Sequence, residues 1–129
     1  NPARASEAGE IERSEWDFHR TLVPNEALLF RFSAITFNTH RIHYDAPYAI
    51  NEEGYRGLVV HGPLTSSLLL DLAARQFGAN AVQQFAFRAQ SPAFAEEPLH
   101  LVGRREGDAL TLAALNPAGQ AVVAAEGSL

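Results

Sequence analysis

The chain has 129 residues, a length that fits one compact domain. Its formal charge of −5 at pH 7 and the lack of any basic run argue against nucleic acid or an anionic membrane surface as a main partner. Cysteine is absent, which excludes disulfides, thiolate metal sites and cysteine nucleophiles, and every apolar run is shorter than the roughly 18 residues that a membrane span needs.

The opening residues, 1–15, are small, polar and charged, and we expect them to form a flexible lead-in to a single domain over residues 16–129. This opening has no basic segment followed by an apolar one, so no secretory signal is visible and the cytoplasm is the default expectation for location. Residues 16–23 mix aromatic and β-branched side chains with polar ones, which predicts an edge strand.

Two helices are predicted in the next part of the chain. Residues 24–26 have the character of a helix start, and apolar residues follow at helical spacing as far as Ile35. A second, short helix is predicted over residues 47–52 and ends at Gly54. Between the two helices, residues 37–45 (FNTHRIHYD) place polar and ionisable side chains between two apolar stretches.

A long apolar helix is predicted from Pro63 to a position near Phe77. Pro63 suits the first helical turn, and Gly78 suits the position just past the end. The helix is apolar on most sides, which is typical of a buried helix. Four short strands are then predicted, over residues 82–89, 99–105, 110–115 and 121–126. One very apolar helix with an antiparallel sheet to wrap it is an α+β arrangement.

The densest group of potentially reactive side chains is Asn38, His40, His43 and Asp45. A histidine titrates near neutral pH, so it both accepts and donates protons under working conditions, and Asp45 is placed to orient an imidazole or to act as acid or base itself. The structural alternative is a hydrogen-bonded loop or a helix cap. A metal site made by His40, His43 and Asp45 is a further alternative, but the chain has no HExxH pattern and we expect no metal.

The second candidate feature is the segment His61-Gly62-Pro63 at the head of the long helix. The first backbone N–H groups of a helix have no partner within it and carry partial positive charge, and glycine lets a ligand approach them closely. A carbonyl oxygen placed there would gain a hydrogen bond that strengthens as negative charge develops, as in an oxyanion hole. The structural alternative is that Gly62 only caps the helix.

Together these segments resemble the MaoC-like hot-dog hydratases and dehydratases. The motifs that carry the resemblance are NTHRIHYD, residues 38–45, and VVHGPL, residues 59–64, and the resemblance extends over residues 24–129. The branch that holds the itaconyl-CoA and mesaconyl-CoA hydratases and the hydroxyacyl-thioester dehydratases is particularly similar. The resemblance implies a hot-dog fold, in which an antiparallel β-sheet wraps around a long central helix.

One departure from the family pattern bears on the catalytic residues. The broader family usually has Asp-x-Asn-Pro-x-His, with the aspartate and the histidine as the catalytic pair. Alignment on His43 puts Asn38 at the aspartate position and His40 at the asparagine position. Because an amide does not titrate, the resemblance implies that Asn38 holds the water and His43 moves the proton, while Asp45 or His40 supplies a second ionisable group and the N–H of Gly62 is the oxyanion donor.

The resemblance also implies which neighbouring side chains contact the substrate: His40, Arg41, His61 and Pro63, with Arg41 next to an anionic acyl group. The implied reaction is reversible hydration of a 2-enoyl thioester of coenzyme A or acyl carrier protein, with no cofactor beyond the coenzyme A of the substrate. Two hot-dog units are expected to pair, as a homodimer or with another hot-dog chain. Two alternatives stay open: thioester hydrolysis, and a non-catalytic subunit that binds acyl thioesters.

Overall fold

The structure is a computed structural model that describes residues 16–129, so the predicted lead-in over residues 1–15 lies outside the described residues. Within the described range, the chain forms an antiparallel sheet and three α-helices. The strands are β1 (Phe18–Leu22), β2 (Gln84–Ala89), β3 (Leu99–Glu106), β4 (Ala109–Leu115) and β5 (Ala121–Ser128). The helices are α1 (Glu26–Ile35), α2 (Ala46–Asn51) and α3 (Gly62–Phe77).

The sheet has the strand order β1-β3-β4-β5-β2, and all neighbouring strands are antiparallel. β1 pairs with β3, with Phe18 opposite Gly103. A Cβ atom at Gly103 would overlap the ring of Phe18, so the close contact between these two strands requires glycine there. At the other edge, β2 pairs with β5, and most of its residues are exposed.

Helix α3 lies against the sheet and forms the centre of the core. Pro63 occupies its first turn, and Gly78, with φ 107°, ends it as the sequence predicts. One side of the helix is buried against β3, β4 and β5, where its side chains join one hydrophobic cluster with those of the strands. This arrangement confirms the predicted α+β fold with a long helix packed against an antiparallel sheet.

The predicted burial of α3 is confirmed for the side that faces the sheet, whereas the opposite side is open. Leu70 is 38% exposed and Ser67 is also exposed, whereas Leu69 and Ala73 are fully buried. The physical reason is that a single sheet covers one side of a helix and leaves the opposite side open.

The shorter helices begin where side chains cap them. Asn25 caps α1, because its Oδ1 accepts a hydrogen bond from the backbone N–H of Leu28 at 2.8 Å. Asp45 caps α2 through the backbone N–H of Tyr48. Among residues 16–129, no helix has the length and apolar character needed to cross a membrane.

Candidate active site

A cavity of about 370 Å³ lies where the N-terminus of α3 meets the C-terminal end of β2 and the start of β5. Among the predicted site residues, its lining includes His43 and Gly62. Ala89 and Val122 form part of the opposite side, which comes from the sheet. The fold therefore brings together the two features that the sequence analysis singled out, although they are 19 positions apart in the chain.

His43 ends a short 3-10 helix, Arg41–His43, which the sequence analysis did not predict. Its side chain is buried, and Nδ1 lies 2.7 Å from the carbonyl oxygen of Val59. Since a carbonyl oxygen only accepts hydrogen bonds, Nδ1 carries the proton and Nε2 keeps its lone pair for the cavity. An imidazole in this tautomer is prepared to act as a general base at Nε2.

Burial sets the protonation state of His43. Desolvation lowers its pKa below 6.5, the nearby His40 also lowers the pKa, and the hydrogen bond to Val59 opposes them by raising it. The ring centroids of His40 and His43 are 5.7 Å apart, and His40 itself is exposed. The net lowering keeps His43 neutral at neutral pH, which is the form that a general base requires.

Gly62 is the first residue of α3 and borders the cavity with its backbone. The N–H groups of the first helical turn have no acceptor within the helix, so they are available to a ligand. A Cβ atom at Gly62 would lie 3.7 Å from the Cβ of Ala89, which is an ordinary contact distance. That atom would therefore point toward another residue of the cavity lining. The site thus offers a proton acceptor and a helix N-terminus to one bound molecule, and the catalytic roles of both stay predictions.

His61 was expected to contact the substrate, but the structure places its side chain beneath His43. His61 is 1% exposed, and its ring stacks on that of His43 with 3.7 Å between centroids and 16° between planes. Its Nε2 lies 2.7 Å from Oγ of Ser33 on α1. Burial, with a smaller effect from His43, lowers the pKa of His61 to about 4, so this ring is also neutral at neutral pH.

Asn38 was expected to hold the reacting water, yet it lies at a different place. Its Oδ1 accepts a hydrogen bond from the backbone N–H of His40 at 3.0 Å. It borders a separate, shallow apolar hollow of about 240 Å³ together with Phe30, Phe37 and Tyr44. The side chain closes a local turn, which is a common role for asparagine and the structural alternative weighed for this segment.

Asp45 forms an ion pair with Arg41 and caps the N-terminus of α2. Oδ2 of Asp45 accepts hydrogen bonds from Nε and an Nη of Arg41 at 3.1 and 3.0 Å, and Oδ1 accepts one from the N–H of Tyr48 at 3.2 Å. The hydrogen bond from Tyr48 and the contact with Arg41 lower the pKa of the Asp45 carboxyl. The carboxylate is therefore engaged as a helix cap and ion-pair partner, away from the cavity in which His43 lies.

Pro63 faces solvent in the first turn of α3, where its carbonyl oxygen accepts hydrogen bonds from Ser66 and Ser67. The metal alternative has no structural support in the described part of the chain, since no group of three or more His, Asp or Glu side chains there is arranged to hold an ion. The predicted set of eight residues therefore divides into two that line the cavity, His43 and Gly62, and six that lie around it or elsewhere.

The comparisons with known proteins establish the family of the chain. The family model described as hydroxyacyl-thioester dehydratase type 2 matches residues 1–95. The chain belongs to that family. It is 53% identical over 106 residues to the mesaconyl-C(4)-CoA hydratase of Chloroflexus aurantiacus, and the match covers 82% of this chain and 38% of the relative.

A second relative is the mitochondrial hydroxyacyl-thioester dehydratase type 2 of Schizosaccharomyces pombe. The two are 36% identical over 93 residues, which cover 70% of this chain and 30% of the relative. The chain thus spans about a third of the length of either relative.

Solved structures support the fold. The (R)-hydratase from A. caviae involved in PHA biosynthesis superposes with a TM-score of 0.76 at 20% identity, over 85% of this chain and 89% of that one. A ChsH1–ChsH2 complex from Mycobacterium tuberculosis gives a TM-score of 0.73 at 16% identity, over 85% and 90%. These likenesses confirm the hot-dog fold.

Four polar residues of this dehydratase-family chain line the cavity without having been predicted: Tyr55, Thr65, Gln90 and Ser91. Thr65 follows Gly62 by three positions, so the period of the helix already places it on the same side of α3. Gln90 and Ser91 follow β2, and no local pattern connects that segment with His43. Their place in the site depends on how the sheet packs against α3.

Proposed function

We propose that this chain carries the active site of an acyl-thioester hydratase or dehydratase that adds water reversibly to a 2-enoyl-CoA. The observation that carries the proposal is that His43 and Gly62 line one and the same cavity. Membership of the hydroxyacyl-thioester dehydratase type 2 family supports it, as does 53% identity to a mesaconyl-C(4)-CoA hydratase. By this likeness, a CoA thioester of the mesaconyl or itaconyl type is the leading substrate class, and no cofactor beyond the coenzyme A of the substrate is needed.

In the hydration direction, Nε2 of His43 takes a proton from water, and the resulting hydroxide adds to the β carbon of the enoyl thioester. The electron pair of the double bond moves toward the thioester oxygen, where the backbone N–H of Gly62 stabilises the enolate. Return of a proton to the α carbon completes the addition and restores the neutral ring. Dehydration follows the same steps in reverse.

This mechanism uses one titrating side chain. Asn38 does not titrate, and Asp45 is held by Arg41 and by the start of α2, so neither is assigned a proton. His43 alone provides the base and, once protonated, the acid. A water bound near Thr65, Gln90 or Ser91 would be within the same cavity as Nε2.

The proposal includes a second hot-dog unit next to the open edge of the sheet. β2 pairs on one side with β5, its residues are largely exposed, and its last residue, Ala89, lines the cavity. A strand added at this edge would extend the sheet and close that side of the cavity. The solved ChsH1–ChsH2 structure, which shares the fold, is itself a complex of two proteins.

The experiment is a survey of purified protein with crotonyl-, mesaconyl- and itaconyl-CoA and with crotonyl acyl carrier protein. Loss of enoyl absorbance without free thiol supports hydration. Release of free thiol with the acyl group otherwise intact would instead identify a thioesterase. Binding of the thioesters with neither change would identify a non-catalytic subunit.

A further inference from the structure

The buried side chain of His61 lies directly beneath His43 and takes no part in the steps described above. The two rings are nearly parallel, with 3.7 Å between their centroids and 16° between their planes. His61 is 1% exposed, so the ring that supports His43 belongs to the buried interior. Its position at the start of α3 joins it directly to Gly62, the proposed oxyanion donor.

Helix α1 holds His61 in place. Nε2 of His61 lies 2.7 Å from Oγ of Ser33, a residue that is itself buried, and the ring of Phe32 meets that of His61 edge to face at 4.8 Å. Nδ1 of His61 is buried without a hydrogen-bond partner in the described part of the chain. The contact with Ser33 is therefore the polar restraint on this ring, and without it the ring has only packing to hold its orientation.

We propose that Ser33 and His61 are a pair of positioning residues that fix the plane of the His43 ring. The carbonyl of Val59 restrains one edge of His43, through Nδ1, and the face of His61 restrains the plane. Two restraints of different direction leave an imidazole one orientation, and here they leave Nε2 as the unbonded nitrogen of a ring that lines the cavity. The consequence for turnover rests on the proposed hydration activity, whereas the positioning itself can be measured without a substrate.

The charge state of the pair suits this role. Among residues 16–129, the titratable side chains that face His43 are His40, His61 and Tyr55, which lines the same cavity. Burial lowers the pKa of His61 to about 4, so His61 is neutral at neutral pH. A neutral ring stacks on His43 without repelling the imidazolium that forms during hydration.

Three variants separate the two restraints that the pair supplies. Ser33→Ala removes the polar anchor of His61, His61→Ala removes the stacked face, and His61→Phe keeps a flat ring without the anchor. Ser67→Ala is the matched control, since Ser67 is an exposed serine on a helix whose hydroxyl bonds to the carbonyl of Pro63.

The first measurement is ¹⁵N NMR of the histidine rings in the full chain, which reports the tautomer and the pKa of His43. In the unmodified protein and in Ser67→Ala, we expect a single tautomer with the proton on Nδ1. In His61→Ala, we expect both tautomers and a higher pKa for His43, because water reaches the ring. Ser33→Ala changes the same signals less, and His61→Phe retains the single tautomer.

The second measurement is steady-state hydration. We expect His61→Ala to lower kcat by about 10- to 100-fold with KM nearly unchanged. A small displacement of a reacting group lowers the reaction rate by factors of this order. His61→Phe should retain more of kcat than His61→Ala. Unchanged tautomer, pKa and kcat in both Ser33→Ala and His61→Ala would overturn the positioning role.

The outcomes also separate this inference from the proposed function. If the unmodified protein hydrates no enoyl thioester but the signals of His43 still depend on His61 and Ser33, the proposed function fails and the positioning stands. If hydration occurs and the signals of His43 are independent of both residues, the positioning fails and the function stands. Should His61→Ala not fold, Ser33→Ala decides the question: an unchanged tautomer, pKa and kcat in that variant would overturn the positioning role.

Discussion

The Nδ1 atom of His43 lies 2.7 Å from the carbonyl oxygen of Val59, and this contact decides which nitrogen of the ring carries the proton. The partners are 16 positions apart, one in the 3-10 helix and the other just before α3. Because Val59 occupies Nδ1, Nε2 is the nitrogen that can act in the cavity.

Replacement of His43 by Gln is expected to lower the hydration rate by about 10²- to 10⁴-fold, since that is the usual contribution of a general base. The measurement is the loss of enoyl absorbance under saturating substrate, with circular dichroism to confirm the fold. His19→Gln serves as the control, because His19 is an exposed residue of β1. A folded His43→Gln protein with full activity would remove His43 from the mechanism.

The activity should persist to lower pH than an ordinary histidine base allows. Burial lowers the pKa of His43 below 6.5, so the neutral form that accepts the proton survives below that pH. We expect kcat/KM for hydration to stay level from neutral pH to below pH 6.5 and then to fall as His43 is protonated. A profile that already declines above pH 7 would contradict the lowered pKa.

The substitution Gly62→Ala should leave the fold intact and impair the reaction. The added Cβ lies at an ordinary distance, 3.7 Å, from Ala89 Cβ, so the core accepts it, but it occupies space in the cavity beside the proposed oxyanion donor. We expect a loss of about tenfold or more in kcat/KM, because displacement of the thioester weakens a hydrogen bond whose full removal costs about 10²- to 10³-fold. Gly57→Ala, where a Cβ meets no atom within 4 Å, is the control.

Two substitutions at Asp45 distinguish a helix cap from a catalytic carboxylate. Asparagine caps helices about as well as aspartate, whereas alanine does not. We therefore expect Asp45→Asn to retain most of the activity and Asp45→Ala to lower the melting temperature, since α2 loses the bond to Tyr48. If Asp45→Asn were as inactive as His43→Gln, the carboxylate would have a role in proton transfer that its contacts do not indicate.

The buried histidine below the site should make the fold sensitive to acid. In the folded chain the pKa of His61 is about 4, against 6.5 for a free side chain, so between these values the unfolded chain binds more protons. Stability is therefore complete above pH 6.5 and falls toward pH 4, with an upper bound of roughly 3 kcal/mol from this group.

Urea unfolding at pH 7, 5.5 and 4.5 measures this dependence. The variant His61→Phe cannot take up the proton, so its stability should change less over the same interval than that of the unmodified protein. The pH dependence of the free energy of unfolding that remains in His61→Phe comes from other groups, among them His43, whose pKa is also lowered. If the free energy of unfolding depended on pH equally in the two proteins, the pKa of His61 would be the same in the folded and the unfolded chain, which would contradict the lowered value.

Most of the secondary structure could be predicted because its signals are local. Asn25 caps α1 at the expected place, and Gly78 ends α3 as expected, because capping and left-handed backbone depend on neighbouring residues. The four strands after α3 were predicted within about two residues of their observed bounds. The 3-10 helix Arg41–His43 was missed, since three residues give no period to detect.

The sequence by itself determined the fold class, the family, and the two segments that supply His43 and Gly62, because periodicity, caps and motifs are written in adjacent residues. Only the tertiary structure decided which side chains of those segments share a cavity. In the folded chain, Asn38 and Asp45 make local hydrogen bonds, and His61 is buried under His43. Gln90, which follows β2, lines the cavity. Such choices depend on packing between residues far apart in the chain, which no local pattern specifies.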